Sequence, residues 1–133
     1  MTGPAWRWIK ESSVLAIHDE QIAEHGGLAG VRDLPLLQSA LARSQNLEAY
    51  GNPDIADLAA AYAVGIARNH AFLDGNKRTA WVVAETFLLK NGCELFASDR
   101  DGVMTMLSVA DGTMSEPELA IWVRAYIRPY KPE

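Results

Sequence analysis

The sequence has a single cysteine, Cys93, among 133 residues. One thiol closes no internal disulfide, and with only 3 histidines spread along the chain there is no zinc ligand set. No apolar run approaches the roughly 18–20 residues that a bilayer-spanning helix needs. Met1 to Lys10 lacks a continuous apolar stretch, which speaks against a secretory signal. Internal repeats, low-complexity tracts and Gly/Ser/Pro-rich linkers are missing too. So is any excess of positive charge: 12 Lys and Arg stand against 17 Asp and Glu, a net charge of −5. That argues against a broad phosphate-tracking surface and direct nucleic-acid binding. Neither is a membrane partner expected, and a cytoplasmic location fits best.

What is present is ordinary for a globular domain: 49% hydrophobic and 22% charged residues. The length suits one domain, taken as 1–133, able to bury about 68% of the surface its unfolded chain exposes. The pattern predicts an all-α, compact bundle of about six helices with little or no strand. Ser12 or Ser13 caps a first helix to about His25, with Val14, His18 and Ile22 on one face and Gly26-Gly27 as the stop. Asp33 caps a second helix striped by Leu34, Leu37, Ala40 and Leu41, ending near Gln45, and Asn46 to Pro53 reads as a loop. Asp54 caps a third helix, Ile55 to about Asn69, whose alanines and Gly65 suit a central position. A fourth runs from Asn76 to about Asn91, Cys93 to Phe96 is extended, and a fifth spans about Arg100 to Ala110. Ser115-Glu116-Pro117-Glu118 is a capping box with proline in the first turn, opening a last helix that ends before Pro129.

One segment departs from local preference. Residues 70–79 read His-Ala-Phe-Leu-Asp-Gly-Asn-Lys-Arg-Thr, so Lys77 and Arg78 fall in the first turn of the fourth helix. A helix start already carries about half a positive charge, and cations there are unfavourable by a few tenths of a kcal/mol. Two cations beside a glycine make sense when an anion arrives, and phosphate is the natural one. Gly75 lets the backbone approach it, Asn76 can offer an amide, and Arg68 can add a further contact or form a salt bridge. Asp74 offers a hard oxygen suited to Mg²⁺ held with nucleotide phosphates, or serves as an N-cap. His70, with its ordinary pKa near neutrality, is the natural general base. Phe72 is expected in the core and Thr79 in packing. The segment is not a Walker loop, since no glycine stands five residues before Gly75 and a helix precedes it, and no G-x-G-x-x-G occurs.

These ten residues resemble the signature of the Fic/Doc superfamily, H-x-F-x-[DE]-[GA]-N, and most closely its Doc (death-on-curing) toxin branch, where lysine and arginine follow the asparagine. Ile17-His18-Asp19, Gly26-Gly27-Leu28 and the Asp33–Gln45 helix are similar to the N-terminal part of Doc-type toxins, extending the resemblance over about residues 9–128. The resemblance implies an ATP-dependent kinase, with Mg²⁺, that phosphorylates a threonine of a translation elongation factor and halts protein synthesis. Fic adenylyltransferases carry G-N-G-R-x-x-R. Here Lys77 replaces the second glycine, Trp81 stands at the second arginine, and Ala71 replaces the proline after the histidine. Phosphoryl transfer is therefore favoured over AMP transfer, which stays as the alternative, with a non-catalytic antitoxin-binding module as a third reading. The inhibitory helix motif [ST]-x-x-x-E-[GN] finds only Ser44-Gln45-Asn46-Leu47-Glu48 followed by Ala49. By resemblance the brake is a partner, an antitoxin whose disordered tail folds into a groove on the toxin.

Outside the motif the expectations are structural. His18 reads as a satisfied core residue, and His25 as a partner of its helix dipole. Trp6, Trp8, Trp81 and Trp122 read as core or groove residues, and Cys93 as buried and inert.

Overall fold

The computed structural model describes residues 5–130, so the domain range 1–133 runs at both ends outside the described residues. The chain forms α1 (Glu11–His25), α2 (Leu34–Tyr50), α3 (Ile55–Asn69), α4 (Asn76–Lys90), β1 (Cys93–Leu95), α5 (Asp99–Ala110), α6 (Glu116–Tyr126) and β2 (Ile127–Pro129). The fold is all-α, with β1 and β2 as a small antiparallel pair in which Cys93 faces Pro129 and Leu95 faces Ile127. Among the described residues no helix is long and apolar enough to cross a membrane.

α3 is the hub. Every residue from Leu58 to Ala67 is buried, because α2, α4, α5 and α6 all pack on it. Small side chains make that possible: a Cβ at Gly65 would stand 3.0 Å from the carbonyl oxygen of Ala40, so α2 approaches as closely as it does only over glycine. Tyr62 is fully buried at its centre and accepts a hydrogen bond from the amide of Ile9 at 3.1 Å, which ties the N-terminal segment to the core. Trp6 and Trp8 pack against Phe87 of α4. Cys93 is half-buried, and burial pushes its thiol pKa up.

The caps explain the helix starts. The Asp33 carboxylate accepts from Leu36 N, and Asp54 and Asp57 form a reciprocal capping box on α3. Arg124 of α6 donates to both of those carboxylates, so the cap also fastens α6 to α3. The Arg124 guanidinium holds the Asp54 carboxyl down at about 2. Ser115 and Glu118 make the expected box on α6.

Two boundaries differ from the sequence reading. α1 begins at Glu11 with no side-chain cap, because Ser13 N and Val14 N both reach the carbonyl of Lys10 and draw the two serines into the first turn. α2 continues through Asn46 to Tyr50, where a loop was expected. Leu47 packs on the core, and no breaker stands before Gly51.

Candidate active site

The segment 70–79 links the end of α3 to the start of α4. His70 takes the left-handed conformation, φ 52°, that stops α3. The chain then lies against the segment after α1: Ala71 O accepts from Arg32 N at 2.8 Å and Asp33 N at 3.0 Å, and Phe72 forms an antiparallel bridge with Val31. Arg32 Nε donates to the His70 carbonyl at 2.7 Å. Phe72 points into the core as expected, 1% exposed. The Asn76 side chain accepts from Phe72 N at 3.1 Å and donates to Phe72 O at 3.0 Å, closing the loop on itself.

Asp74 is held at two atoms by the α1 region. Its main-chain carbonyl accepts from His18 Nε2 at 2.7 Å, and its carboxylate Oδ2 accepts from Leu28 N at 2.7 Å. Gly75 follows at φ 79° and caps α4 with no side-chain hydrogen bond. Thr79 is the first residue of that turn whose amide reaches a backbone carbonyl, that of Gly75 at 3.0 Å. The earlier N–H groups of α4 are left open to a ligand.

These features meet in a cleft of about 480 Å³ walled by α1, the Gly26-Gly27 turn, the motif loop and α5. Asp74, Gly75, Asn76, Lys77 and Arg78 line it, opposite Gln21 and His25 of α1 and Val103 and Leu107 of α5. Lys77 and Arg78 are half-buried and in no ion pair among the described residues. Cations half-withdrawn from water beside open helix N–H groups are an arrangement suited to an anion. A second hollow, about 370 Å³, lies between the start of α6 and the α2–α3 loop; its walls carry neither a cation nor a motif residue.

The remaining expected site residues sit differently. His70 is exposed at the upstream end of the loop and does not line the cleft. Arg68 does not line the cleft. Its Nε donates to Val109 O at 2.9 Å and its Nη2 to Met114 O at 2.8 Å, so the guanidinium satisfies carbonyls at and beyond the end of α5. Asn76 lines the cleft, and both ends of its amide are engaged by Phe72, which shapes the loop; of the two N–H donors on that amide one is used in this pair. Asp74 is not the N-cap of α4, because Gly75 occupies that position. Thr79 is fully buried, in keeping with packing.

Four residues of the cleft wall, Gln21, His25, Val103 and Leu107, carry no site signal in the sequence. His25 was read as a dipole partner and stands on the cleft wall, 3.6 Å from Glu24. Val103 and Leu107 were read only as part of the fifth helix. Their shared spacing of four residues is a surface signal, but nothing in the sequence tells which neighbour that surface meets.

Among the described residues no group of three or more His, Cys, Asp or Glu is placed to hold a metal ion. Asp74 therefore presents one carboxylate, with Oδ1 in no hydrogen bond among the described residues. A single carboxylate fits Mg²⁺ that shares its coordination with nucleotide phosphates and water.

Residues 8–88 match the model of the Fic/DOC family. The chain is 35% identical over 119 residues to the "Protein kinase doc" of Escherichia phage P1, covering 89% of this chain and 94% of that protein. It is 51% identical over 76 residues to the "Toxin Doc" of Mycolicibacterium smegmatis, covering 54% of this chain and 57% of that one.

Proposed function

This chain belongs to the Fic/DOC family, on its Doc branch, and on that premise we propose that it is a toxin that moves the γ-phosphoryl group of ATP onto a protein hydroxyl. The acceptor proposed is a threonine of a translation elongation factor, so that the reaction halts protein synthesis. The observation that carries this reading is the Lys77–Arg78 pair at the open start of α4, in no ion pair among the described residues, with the Asp74 carboxylate lining the same cleft.

Phosphoryl transfer passes through a loose transition state, so the protein mainly positions groups and neutralises charge. Lys77, Arg78 and the first-turn N–H groups of α4 hold the phosphate oxygens and stabilise the charge of the transferring group. The imidazole of His70, exposed at the upstream end of the loop, takes the proton from the acceptor hydroxyl. Asp74 would hold Mg²⁺, which supplies charge neutralisation at the phosphates when bound. Asn76 and Arg32 keep the loop closed. A partner protein of the antitoxin type supplies the restraint that no internal helix provides.

AMP transfer is the second reading. Trp81 favours the first: it is buried, its Nε1 lies 3.4 Å from Asp99 Oδ1, and it brings no cation to that position. ATP labelled at the α or the γ phosphate tests the choice. Label from the γ position on an acceptor protein, with a phosphate mass on a hydroxyl residue, is the expected result. Label from the α position with an AMP mass would replace the proposal by its rival. Neither label, together with unimpaired growth of cells expressing the chain without a partner, would leave a non-catalytic binding module.

A further inference from the structure

We infer that His18 is a positioning residue for the transfer reaction, setting the aim of Asp74 and of the Gly75 turn from the far side of the motif loop. The inference rests on the reading of the cleft as the reaction site. His18 lies on α1, 56 residues before Asp74, and is 1% exposed. Its imidazole touches the loop in three ways. It lies flat on Phe72, with ring centroids 3.8 Å apart and planes 7° from parallel. Its Nε2 is 2.7 Å from the Asp74 carbonyl oxygen, and since a carbonyl only accepts, the ring proton sits on Nε2. A Cβ at Gly75 would be 3.5 Å from the same nitrogen, so the ring also lies beneath that residue.

A residue needed only to fill the core requires no donor, and an apolar side chain would avoid burying polar nitrogens. The donor goes to the one carbonyl whose peptide plane joins Asp74 to Gly75. Rotation there would turn the Asp74 carboxylate relative to the open N–H groups of α4. Gly75, lacking a Cβ and held at φ 79°, offers little resistance of its own. His18 supplies the restraint, while Leu28 N holds the other end of Asp74.

The test compares His18→Phe, which keeps a flat ring under Phe72 but loses the donor, with Val14→Ala, which empties a buried site one turn away on the same helix face. Phosphoryl transfer kinetics and amide hydrogen exchange of residues 72–76 are measured on both. The expected result is that His18→Phe lowers kcat at least about tenfold with little change in acceptor KM. Loop exchange should accelerate, and His18→Gln, which restores an N–H donor, should recover part of both. Val14→Ala should lower the melting temperature yet leave kcat and loop exchange near wild type. Wild-type kcat and exchange in His18→Phe, or equal losses in Val14→Ala, would overturn the inference. If His18→Phe does not fold, His18→Asn takes its place, judged by the same two readouts against Val14→Ala. A wild-type protein that transfers no label would sink the reaction reading instead, and the exchange comparison would then decide His18's hold on the loop by itself.

Discussion

The amide of Leu28 donates to the carboxylate of Asp74 at 2.7 Å, across 46 residues of sequence. This bond aims one carboxylate oxygen at the turn after α1 and leaves the other for the cleft. It depends on Gly27, which sits at φ 115° with space for a Cβ only 3.1 Å from Asp74 Cβ and 3.2 Å from Ile22 Cδ1. Gly27→Ala is expected to cost about 1–2 kcal/mol through the left-handed backbone. By displacing Asp74 it should also lower transfer by up to about 10²-fold. Urea unfolding and transfer rates on one preparation check both, and full activity would show that the aim of Asp74 is immaterial.

His70 stands in the left-handed region at the end of α3, where asparagine is tolerated and alanine costs about 1 kcal/mol. His70→Asn should therefore fold as well as wild type and melt within a degree or two of it. Loss of a general base should reduce transfer by about 10²–10⁴-fold. His70→Ala should lose the same activity and somewhat more stability. A folded His70→Asn variant that still transfers phosphate at the wild-type rate would remove the histidine from the chemistry.

Lys77 and Arg78 oppose the dipole of the helix that carries them. Replacing both by alanine should stabilise the ligand-free protein by about 0.3–1 kcal/mol. The same change should abolish the stabilisation that excess Mg·ATP gives the wild type, about 2.7 kcal/mol at a ligand concentration 100 times Kd. Thermal melts with and without nucleotide separate the two effects. Equal nucleotide stabilisation of the double variant and the wild type would mean that the anion binds elsewhere.

Signals carried by neighbours in sequence were legible. The Asp33 cap, the Ser115–Glu118 box, the alanine-rich central helix and the unfavoured cations at 77 and 78 all follow from local chemistry, and each stands where the pattern placed it. The all-α fold followed from those elements. What was not legible depends on contacts between distant segments. Arg68 precedes the motif loop, and only the position of α5 shows that its guanidinium is taken by Val109 and Met114. Asn76 carries an amide beside the cations, and only the folded turn shows that Phe72 engages both of its ends. His18 reads as one more buried histidine until the loop is seen lying on it.

Glu85 gives the protein a pH dependence that the sequence does not announce. It is half-buried on α4, facing a hollow it shares with Glu24 and His25 of α1, Arg78 and Trp81 of α4, and Asp99 of α5. Burial first, and the charge of Asp99 second, push its carboxyl up to about 7 from an ordinary 4.5. A raised folded-state value means that the folded protein prefers neutral Glu85. The associated stability is complete below about pH 4.5 and is lost as pH rises through about 7. Asp54, depressed to about 2 beside Arg124, acts in the opposite sense: its contribution is present above about 3.8 and lost as pH falls toward 2. From these two groups stability should be greatest near pH 4–5. Glu85→Gln removes the alkaline loss. Allowing for partial solvent screening, it should raise stability at pH 8 by about 1 kcal/mol, roughly 3–5 °C in Tm, and change little at pH 4. Melting curves of wild type and variant from pH 3 to 9 decide it. Curves that stay parallel across that range would mean that Glu85 is ionised in the folded protein at neutral pH and that the hollow is wetter than its walls suggest.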